Sequence, residues 1–322
     1  MHRQQDALAD GKSQMIVDTG PARRAWAPPR LSRQARRDIE GWLFILPVAI
    51  GVLAFYVGPI LVSLYTSFTN SDGLTKRDWV GLFNYDRLLT RDAAFRETLL
   101  HTLYYVAGHI PLTMGLALAL ALLCHRQMPG VTLFRTAYFL PVVTNVVAIS
   151  LVWSFFFAPD RGPLNWLIGA FGADGPSWLS STTWAMPAII IVSVWFGVGY
   201  PMVILLAGLQ GIPEVYYEAA KVDGASAWWR FRAITIPLLT PTLFFLTITQ
   251  FISSFQVFGI IYVMTSGGPA NSTEVYIHQL YKHAFQFSRM GYASAMAWIL
   301  FLIIGVISVL QWKLQKYWVH YD

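Results

Sequence analysis

The sequence predicts an all-α polytopic membrane protein with six transmembrane helices. Hydrophobic residues make up 55% of its 322 residues and charged residues only 12%, whereas a typical soluble domain carries about 25% charged residues. The apolar residues are gathered in stretches long enough to cross a bilayer, which takes about 20 residues per helix. None of these stretches contains Asp, Glu, Lys or Arg. Composition and patterning together therefore exclude an ordinary soluble domain.

Six apolar stretches define the predicted spans. The third and fifth carry polar interruptions and are predicted to be irregular. Prolines lie within several spans, where neighbouring helices can satisfy the freed carbonyl groups. Small residues near the start of the sixth span, among them Gly291 and Ala295, predict close helix packing there. The predicted spans are 42–69, 98–124, 136–158, 183–208, 238–266 and 290–312.

The distribution of basic residues predicts the orientation in the membrane. Six spans put both termini on one side, and the segments on that side hold fifteen Lys and Arg residues against eight in the other three loops. Because cytoplasmic segments carry the excess of basic residues, both termini are predicted to be cytoplasmic. The predicted domains are a largely disordered cytoplasmic tail, 1–40, and a transmembrane domain, 41–318.

Several residues limit the chemistry of the chain. A single cysteine, Cys124, excludes an internal disulfide and a thiolate metal cluster. The stretch 11–13, Gly-Lys-Ser, looks like the end of a phosphate-binding loop, but the earlier glycine of that motif is replaced by Asp6. Two histidines of the second span, His101 and His109, are predicted to be packed or interfacial rather than catalytic. The chain is therefore predicted to have no catalytic residue, no metal site and no ATP site.

The loop 209–237, between spans four and five, is predicted to contain two helices on the cytoplasmic side. The segment "PEVYYEAAKVD" opens with a proline and an acidic residue, which is a helix-start signature. Gly224 then stands where a left-handed cap is expected, a second short helix is predicted over about 225–233, and Pro237 opens the next span. On composition alone, this helix pair could also be a linker anchored at the membrane surface by its tryptophans.

The same loop resembles the EAA motif of ABC importer permeases. The pattern of that family is E-A-A, three residues, G, nine residues and I-x-L-P. The spacing here is the same, and the one departure, Ile236 for Leu, conserves volume. The matching positions are Glu218, Ala219, Ala220, Gly224, Ile234 and Pro237, with Thr235 at the variable position and Ile236 at the departure.

Four further stretches resemble carbohydrate-uptake ABC permeases of the maltose and glycerol-phosphate type. Together with the EAA loop they cover most of residues 40–315. The long tail and the first-loop motif resemble the first of the two permeases in such systems. The four stretches are "GLFNYDRLL" (81–89), "FRTAYFLPVVTNVVAISLVWSFFF" (134–157), "GPLNWLI" (162–168) and "MTSGGPANSTEVYIHQLYKHAFQFSRMGYASAMA" (264–297).

The resemblance implies a transport subunit of the cell (inner) membrane that performs no bond chemistry. It implies a heterodimer with a second permease, two copies of an ABC ATPase that bind ATP and Mg, and an extracytoplasmic sugar-binding protein. Nucleic acid is not among the implied partners, and this chain itself would hold no cofactor. For Glu218, a first-turn acid that stabilises its own helix is the alternative role. The implied ATPase-coupling residues are Glu218, Ala219, Ala220, Asp223 and Gly224.

Polar side chains in the fifth span are candidates for a substrate path. On a helix, Gln250 and Ser254 are one turn apart, and Ser253 and Gln256 share a neighbouring face. They could line a path or form hydrogen bonds between helices, and the resemblance favours the path. Asn145 in the third span is a similar candidate. The predicted path residues are Asn145, Gln250, Ser253, Ser254, Gln256 and Tyr262.

The uncharged spans predict a neutral oligosaccharide or glycoside as the substrate. A glycerol-phosphate-type substrate remains an alternative, because a partner subunit or the binding protein could supply the basic group. An ion-coupled carrier acting alone is less favoured, since such carriers usually need charged residues in the membrane. A membrane enzyme would need convergent carboxylates. The candidates for these are the aspartates of the first outer loop, Asp72, Asp78, Asp86 and Asp92.

Overall fold

The computed structural model describes residues 32–125 and 129–320, and these ranges are mostly helical. The β-type pairing found in them is one isolated antiparallel bridge between Thr69 and Trp79. The predicted all-α class is confirmed for this part of the chain. The predicted disordered tail lies outside it as far as residue 31, and so does the stretch 11–13.

The helices of the described ranges are joined by turns, by short 3-10 or π segments and by loops. In chain order they are α1 (Arg33–Val52), α2 (Gly58–Ser67), α3 (Phe83–Asp86), α4 (Ala93–His125), α5 (Val131–Phe139), α6 (Val146–Phe156), α7 (Pro163–Ala170), α8 (Ala185–Gly197), α9 (Gly199–Gln210), α10 (Glu214–Val222), α11 (Ala227–Arg230), α12 (Ile236–Phe255), α13 (Gly259–Met264), α14 (Tyr276–Tyr281) and α15 (Met290–Leu314).

Four continuous helical stretches in the described ranges are long and apolar enough to cross a membrane. Two bent pairs bring the number to six if each pair forms one span: α5 with α6, bent by 102°, and α8 with α9, bent by 46°. The irregular third span is thus confirmed, whereas the bend in the fourth was not predicted. The four continuous stretches are Arg37–Ser67, Ala93–His125, Ala227–Met264 and Met290–Tyr317.

The sharp bend between α5 and α6 has a local cause in the sequence. Pro141 lies in a 3-10 turn that follows α5, and Thr144 after it is extended, with φ −86° and ψ 156°. Asn145 then starts the next helix, because its side-chain oxygen accepts the N–H groups of Val147 at 2.8 Å and Ala148 at 3.4 Å. An Asn in this role is a favoured N-cap. The polar residue that interrupts the third span therefore restarts its helix.

The chain divides between Pro59 and Ile60 into two units. In the first unit, α1 begins at Arg33, ahead of the predicted domain boundary at 41, and continues through Pro47. All the packing described below belongs to the second unit.

Helix α4 is the centre of the second unit and packs against α8, α9 and α12. Its contacts depend on small residues: Gly108 lies against Ile190, and Ala117 and Ala121 are fully buried in the cluster that contains Met202 of α9. Small residues let membrane helices approach closely without a cavity. This packing fixes the frame from which the loops project.

The first loop of the second unit is tied to the start of α15. The side-chain amide of Asn84 donates to the carbonyls of Ser67 at 2.8 Å and Thr69 at 2.9 Å. The Thr69 carbonyl in turn occupies the space that a side chain at Gly291 would need. Gly291 and Ala295 are both buried, so the close packing predicted for the start of the sixth span is confirmed.

Candidate functional site

The predicted coupling segment forms helix α10, which ends in a Schellman cap. Gly224 has φ +75°, and its N–H donates to the Lys221 carbonyl at 3.1 Å. The N–H of Ala225 donates to the Ala220 carbonyl at 2.8 Å. These two bonds satisfy carbonyls that a helix C-terminus otherwise leaves unpaired. The left-handed glycine predicted at position 224 is confirmed.

Helix α10 is bonded to the base of α12. The hydroxyl of Tyr217 lies 3.0 Å from the Thr235 hydroxyl, and Thr235 is the last residue of the π turn that runs into α12. Thr235 is buried, with 5% of its surface exposed. A displacement of α10 would therefore be transmitted to α12 through a buried contact.

The predicted second short helix is different in extent. Only Ala227–Arg230 forms an α-helix, started by Ser226, whose hydroxyl accepts the Trp229 N–H at 3.2 Å. It continues through a π turn into α12 without a gap, and both belong to the candidate span Ala227–Met264. Pro237 does not interrupt the helix, because it directly follows the π turn Phe231–Thr235, and local π adjustments of this kind re-satisfy the backbone groups that a proline frees.

A groove of about 910 Å³ opens beside α10. Four of the predicted coupling residues line it: Ala219, Ala220, Asp223 and Gly224. Glu218 is exposed and is not part of the lining. The small side chains along α10 leave the groove open, and apolar residues form its other wall. These include Trp229, Ala233, Ile234, Pro237 and Leu238.

Two helix breaks adjoin in the second unit. Helix α12 ends at Phe255 and α13 begins at Gly259, which packs against Val146 at the start of α6. A Cβ atom at Gly259 would lie 3.2 Å from Val146 Cγ1. Non-helical backbone at membrane depth is tolerated only when it is buried in protein or lines a water-filled cavity. The irregularity predicted for the fifth span is therefore present, next to that of the third.

The predicted path residues fall into two groups. Gln250 and Ser254 are buried inside the chain. The others are exposed and lie at or near the two adjoining breaks. Gln256 is the residue that ends α12 rather than a member of the helix. The exposed group consists of Asn145, Ser253, Gln256 and Tyr262.

Ser254 joins α12 to α4. Its hydroxyl lies 2.9 Å from His109 Nδ1, and the His109 ring stacks on Tyr105 with 5.2 Å between ring centroids. His101 lies eight residues nearer the start of α4. Its Nδ1 is 3.3 Å from the Glu274 carbonyl oxygen. Both histidines are therefore packed, as predicted.

Replacing Ser254 with alanine is expected to lower the free energy of unfolding by about 1–3 kcal/mol, because His109 would be left buried without this partner. Ser253 is the matched control, since its exposed hydroxyl bonds only to the Gln250 carbonyl of its own helix, at 3.1 Å. Thermal unfolding in detergent would measure both. Equal midpoints for Ser254→Ala and Ser253→Ala would contradict this role.

The loop 267–289, between the fifth and sixth predicted spans, contains a buried carboxylate that the sequence analysis missed. Glu274 is 5% exposed and lies 2.9 Å from His278 Nδ1 and 3.3 Å from Lys282 Nζ. Burial raises the pKa of Glu274, but the hydrogen bond and charge of His278, together with Lys282, outweigh burial and hold the pKa below its usual value. The signal in the sequence was an acid followed by basic residues at i+4 and i+8, a helical spacing.

Three of the four aspartates that could have served an enzyme make local contacts in the structure. Asp72 accepts three backbone N–H groups of its own turn, Asp86 pairs with Arg91 at 3.5 Å, and Asp92 accepts a hydrogen bond from the Tyr292 hydroxyl. Across residues 32–125 and 129–320, no group of three or more His, Cys, Asp or Glu side chains could hold a metal ion.

Comparisons with known proteins agree with the resemblance. Residues 112–316 match the family described as "Binding-protein-dependent transport system inner membrane component". The chain is 40% identical over 296 residues to the probable ABC transporter permease protein YesP of Bacillus subtilis (strain 168), covering 90% of this chain and 95% of YesP. It is 36% identical over 288 residues to the lactose transport system permease protein LacF of Rhizobium radiobacter, covering 88% and 96%.

The fold has a counterpart among solved structures. A chain in the crystal structure of a bacterial alginate ABC transporter, in complex with an alginate pentasaccharide-bound periplasmic protein, superposes with a TM-score of 0.78. The match covers 89% of this chain and 97% of that chain at 22% sequence identity, and it therefore supports the fold alone.

The family match extends over most of the chain, and the relatives align over nearly their whole length. This chain therefore belongs to the family of binding-protein-dependent transport system inner membrane components, and its predicted resemblance to ABC importer permeases is confirmed.

Proposed function

We propose that this chain is the first of two permease subunits of an ABC sugar importer, forming half of the translocation path and coupling to a separate ATPase. The observation that carries the coupling role is the capped helix α10, with four of the predicted coupling residues lining an open groove beside it. The small residues Ala219 and Ala220 admit a close partner, and exposed Glu218 offers a carboxylate for a charge-assisted bond. Relatives such as LacF, a lactose transport system permease protein, support a sugar as the substrate.

The proposed topology has six spans, with both termini and the coupling loop 209–237 in the cytoplasm of a cell (inner) membrane protein. The four continuous stretches and two bent pairs supply six spans when each pair crosses once. The excess of basic residues on the side of the termini supports the orientation. Within this topology, α10 lies on the ATPase side.

The proposed substrate path runs beside the two adjoining helix breaks. Discontinuous helices that meet within a membrane are a common place for a substrate site. The exposed residues there, Asn145, Ser253, Gln256 and Tyr262, offer amide, hydroxyl and aromatic groups. Gln250 and Ser254 would support these exposed residues from inside the protein, because both are buried. No predicted path residue is charged, and this favours a neutral oligosaccharide or glycoside over a phosphorylated one.

The proposed cycle uses α10 as the mechanical link. A loaded binding protein docks outside, two ATPase copies close on ATP and Mg, and α10 moves as a rigid body with them. The contact of Tyr217 with Thr235 carries this movement into α12, whose far end adjoins the break at residues 256–258. The path then changes from inward-facing to outward-facing, and hydrolysis resets it. This chain contributes no bond chemistry and binds no nucleotide.

The test is reconstitution of the complex that co-purifies with the tagged chain from its native host. We expect a second permease and an ATPase in that complex. Proteoliposomes that contain it, with the binding protein added, are expected to take up labelled neutral oligosaccharides only when ATP is supplied. Uptake of sn-glycerol 3-phosphate in the same assay would instead favour the phosphorylated substrate. Uptake by the isolated chain without nucleotide would contradict the proposal and favour a carrier.

A further inference from the structure

A second pocket, of about 370 Å³, lies between the start of α4 and the loop that precedes α15. Two buried side chains in its lining have a polar atom without a hydrogen-bond partner. These atoms are Oε1 of Gln279, which is 6% exposed, and Nδ1 of His283, which is 9% exposed. Buried polar atoms in native structures are nearly always paired. Two residues that line one pocket therefore each carry a buried polar atom with unused hydrogen-bonding capacity.

Basic side chains surround these two atoms. Arg87 and Arg289 line the same pocket, and neither guanidinium has a carboxylate within ion-pair distance among the residues that the structure describes. The Arg87 guanidinium carbon lies 5.6 Å from the centre of the Tyr292 ring, and the His283 ring lies 4.7 Å from the same ring. Arg87 and His283 thus both lie against Tyr292, and Arg289 is a second arginine of the same lining.

The acids of the lining are mostly committed elsewhere. Asp92 accepts hydrogen bonds from the Tyr292 hydroxyl and from the Phe95 N–H. Glu274 is held by His278 and Lys282. Glu97 is the exception: it is exposed and makes no ion pair within the described ranges. Asp92 and Glu97 keep their negative charges, and Arg87 and Arg289 are the basic residues of the lining that no carboxylate pairs within the described ranges.

We propose that this pocket binds a small oxyanion, such as a sulfate, a phosphate or a carboxylate group. Arg87 and Arg289 would supply the charge, since guanidinium groups match the geometry of such anions. His283 would donate from Nδ1, and Gln279 would donate from its amide nitrogen after a half-turn of the terminal amide. The site is distinct from the coupling groove and the proposed path, and it goes beyond the proposed function. The anion comes either from solution or from a lipid headgroup.

Sulfate is a suitable probe, because its charge does not change near neutral pH. The full chain would be purified in a neutral detergent with chloride as the only other anion, and sulfate titrated by calorimetry at constant ionic strength. We expect one saturable site, with affinity about tenfold weaker in Arg87→Gln and in Arg289→Gln, as for loss of a hydrogen bond to a charged group. Glu97→Gln is expected to bind sulfate more tightly than the wild type, since the substitution removes a negative charge that repels the anion.

Arg77→Gln is the matched control, because Arg77 is exposed in the same loop and does not line the pocket. Its affinity should equal that of the wild type. Gel filtration would establish that each variant remains folded. Absence of saturable sulfate binding in the wild type would overturn the proposal, and so would an unchanged affinity in the folded double variant Arg87→Gln/Arg289→Gln.

The source of the anion can be separated in lipid nanodiscs. Sulfate affinity would be compared between discs of phosphatidylcholine alone and discs that also contain phosphatidylglycerol. If phosphatidylglycerol weakens sulfate binding to the wild type but does not weaken it further in Arg289→Gln, the site binds a lipid headgroup. Equal affinities would assign it to a free anion. Because no step of this test uses transport, its failure would leave the proposed function untouched.

Discussion

Replacing Gly224 with valine is expected to weaken the binding of the ATPase to this chain by about tenfold, while the chain stays in the membrane. Gly224 has φ +75°, a conformation that costs an L-residue about 1–2 kcal/mol and a β-branched one more. Nothing lies within 4 Å of an added Cβ atom, so the penalty is one of backbone conformation and not of collision. The nine-residue helix α10 is too short to be stable alone, and without its cap the wall of the groove would fray.

The measurement is the amount of ATPase that co-purifies with the tagged chain, followed by ATP-dependent uptake in proteoliposomes. A loss of 1–2 kcal/mol corresponds to binding that is weaker by about tenfold. Gly224→Asn is the matched control, because asparagine is the other residue that commonly adopts the left-handed cap. It should retain most of the ATPase. If the valine and asparagine variants bind the ATPase equally, backbone conformation at this position does not control coupling.

Local rules explain which features the sequence could predict. Gly224 was predictable because a helix start, nine periodic residues and a following glycine are all contiguous. The positions of the spans were predictable for the same reason, since a bilayer selects for continuous apolar length. Within the third span, Pro141 and Asn145 marked the place of the break. They did not reveal that the Asn145 side chain would cap a helix, because this depends on the 3-10 turn that contains Pro141.

Features that depend on tertiary contacts were not predictable from one sequence. Ser254 and His109 are separated by 145 residues, and only the packing of α12 on α4 makes them partners. At the 46° bend between α8 and α9, Gly199 lies close to the Tyr138 carbonyl, a contact that no local pattern records. Polarity alone therefore grouped Ser254 with Ser253, although one is buried between helices and the other is exposed.

Replacing Gly291 with leucine is expected to have the largest effect on stability of any single change considered. Its N–H donates to the Ser71 carbonyl at 3.0 Å, and the Thr69 carbonyl fills the space of a Cβ atom. Backbone cannot move aside as a flexible side chain can, so α15 and the first loop would separate. Overpacking of this kind costs about 3 kcal/mol, and loss of the Ser71 bond adds about 1 kcal/mol.

Gly305, in the same helix, provides the control, because nothing lies within 4 Å of a Cβ atom added there. Gly305→Ala is expected to be neutral or to stabilise the protein by about 0.5–1 kcal/mol, since alanine loses less backbone entropy in a helix. Thermal unfolding in detergent would compare the midpoints of Gly291→Leu and Gly305→Ala. The midpoint of Gly291→Ala is expected to lie between them. A Gly291→Leu protein with the midpoint of the wild type would show that α15 and the first loop are not held together by this close contact. Because the Asn84 amide bonds to the same Thr69 carbonyl, we expect Gly291→Leu to disorder the first loop as well as the start of α15.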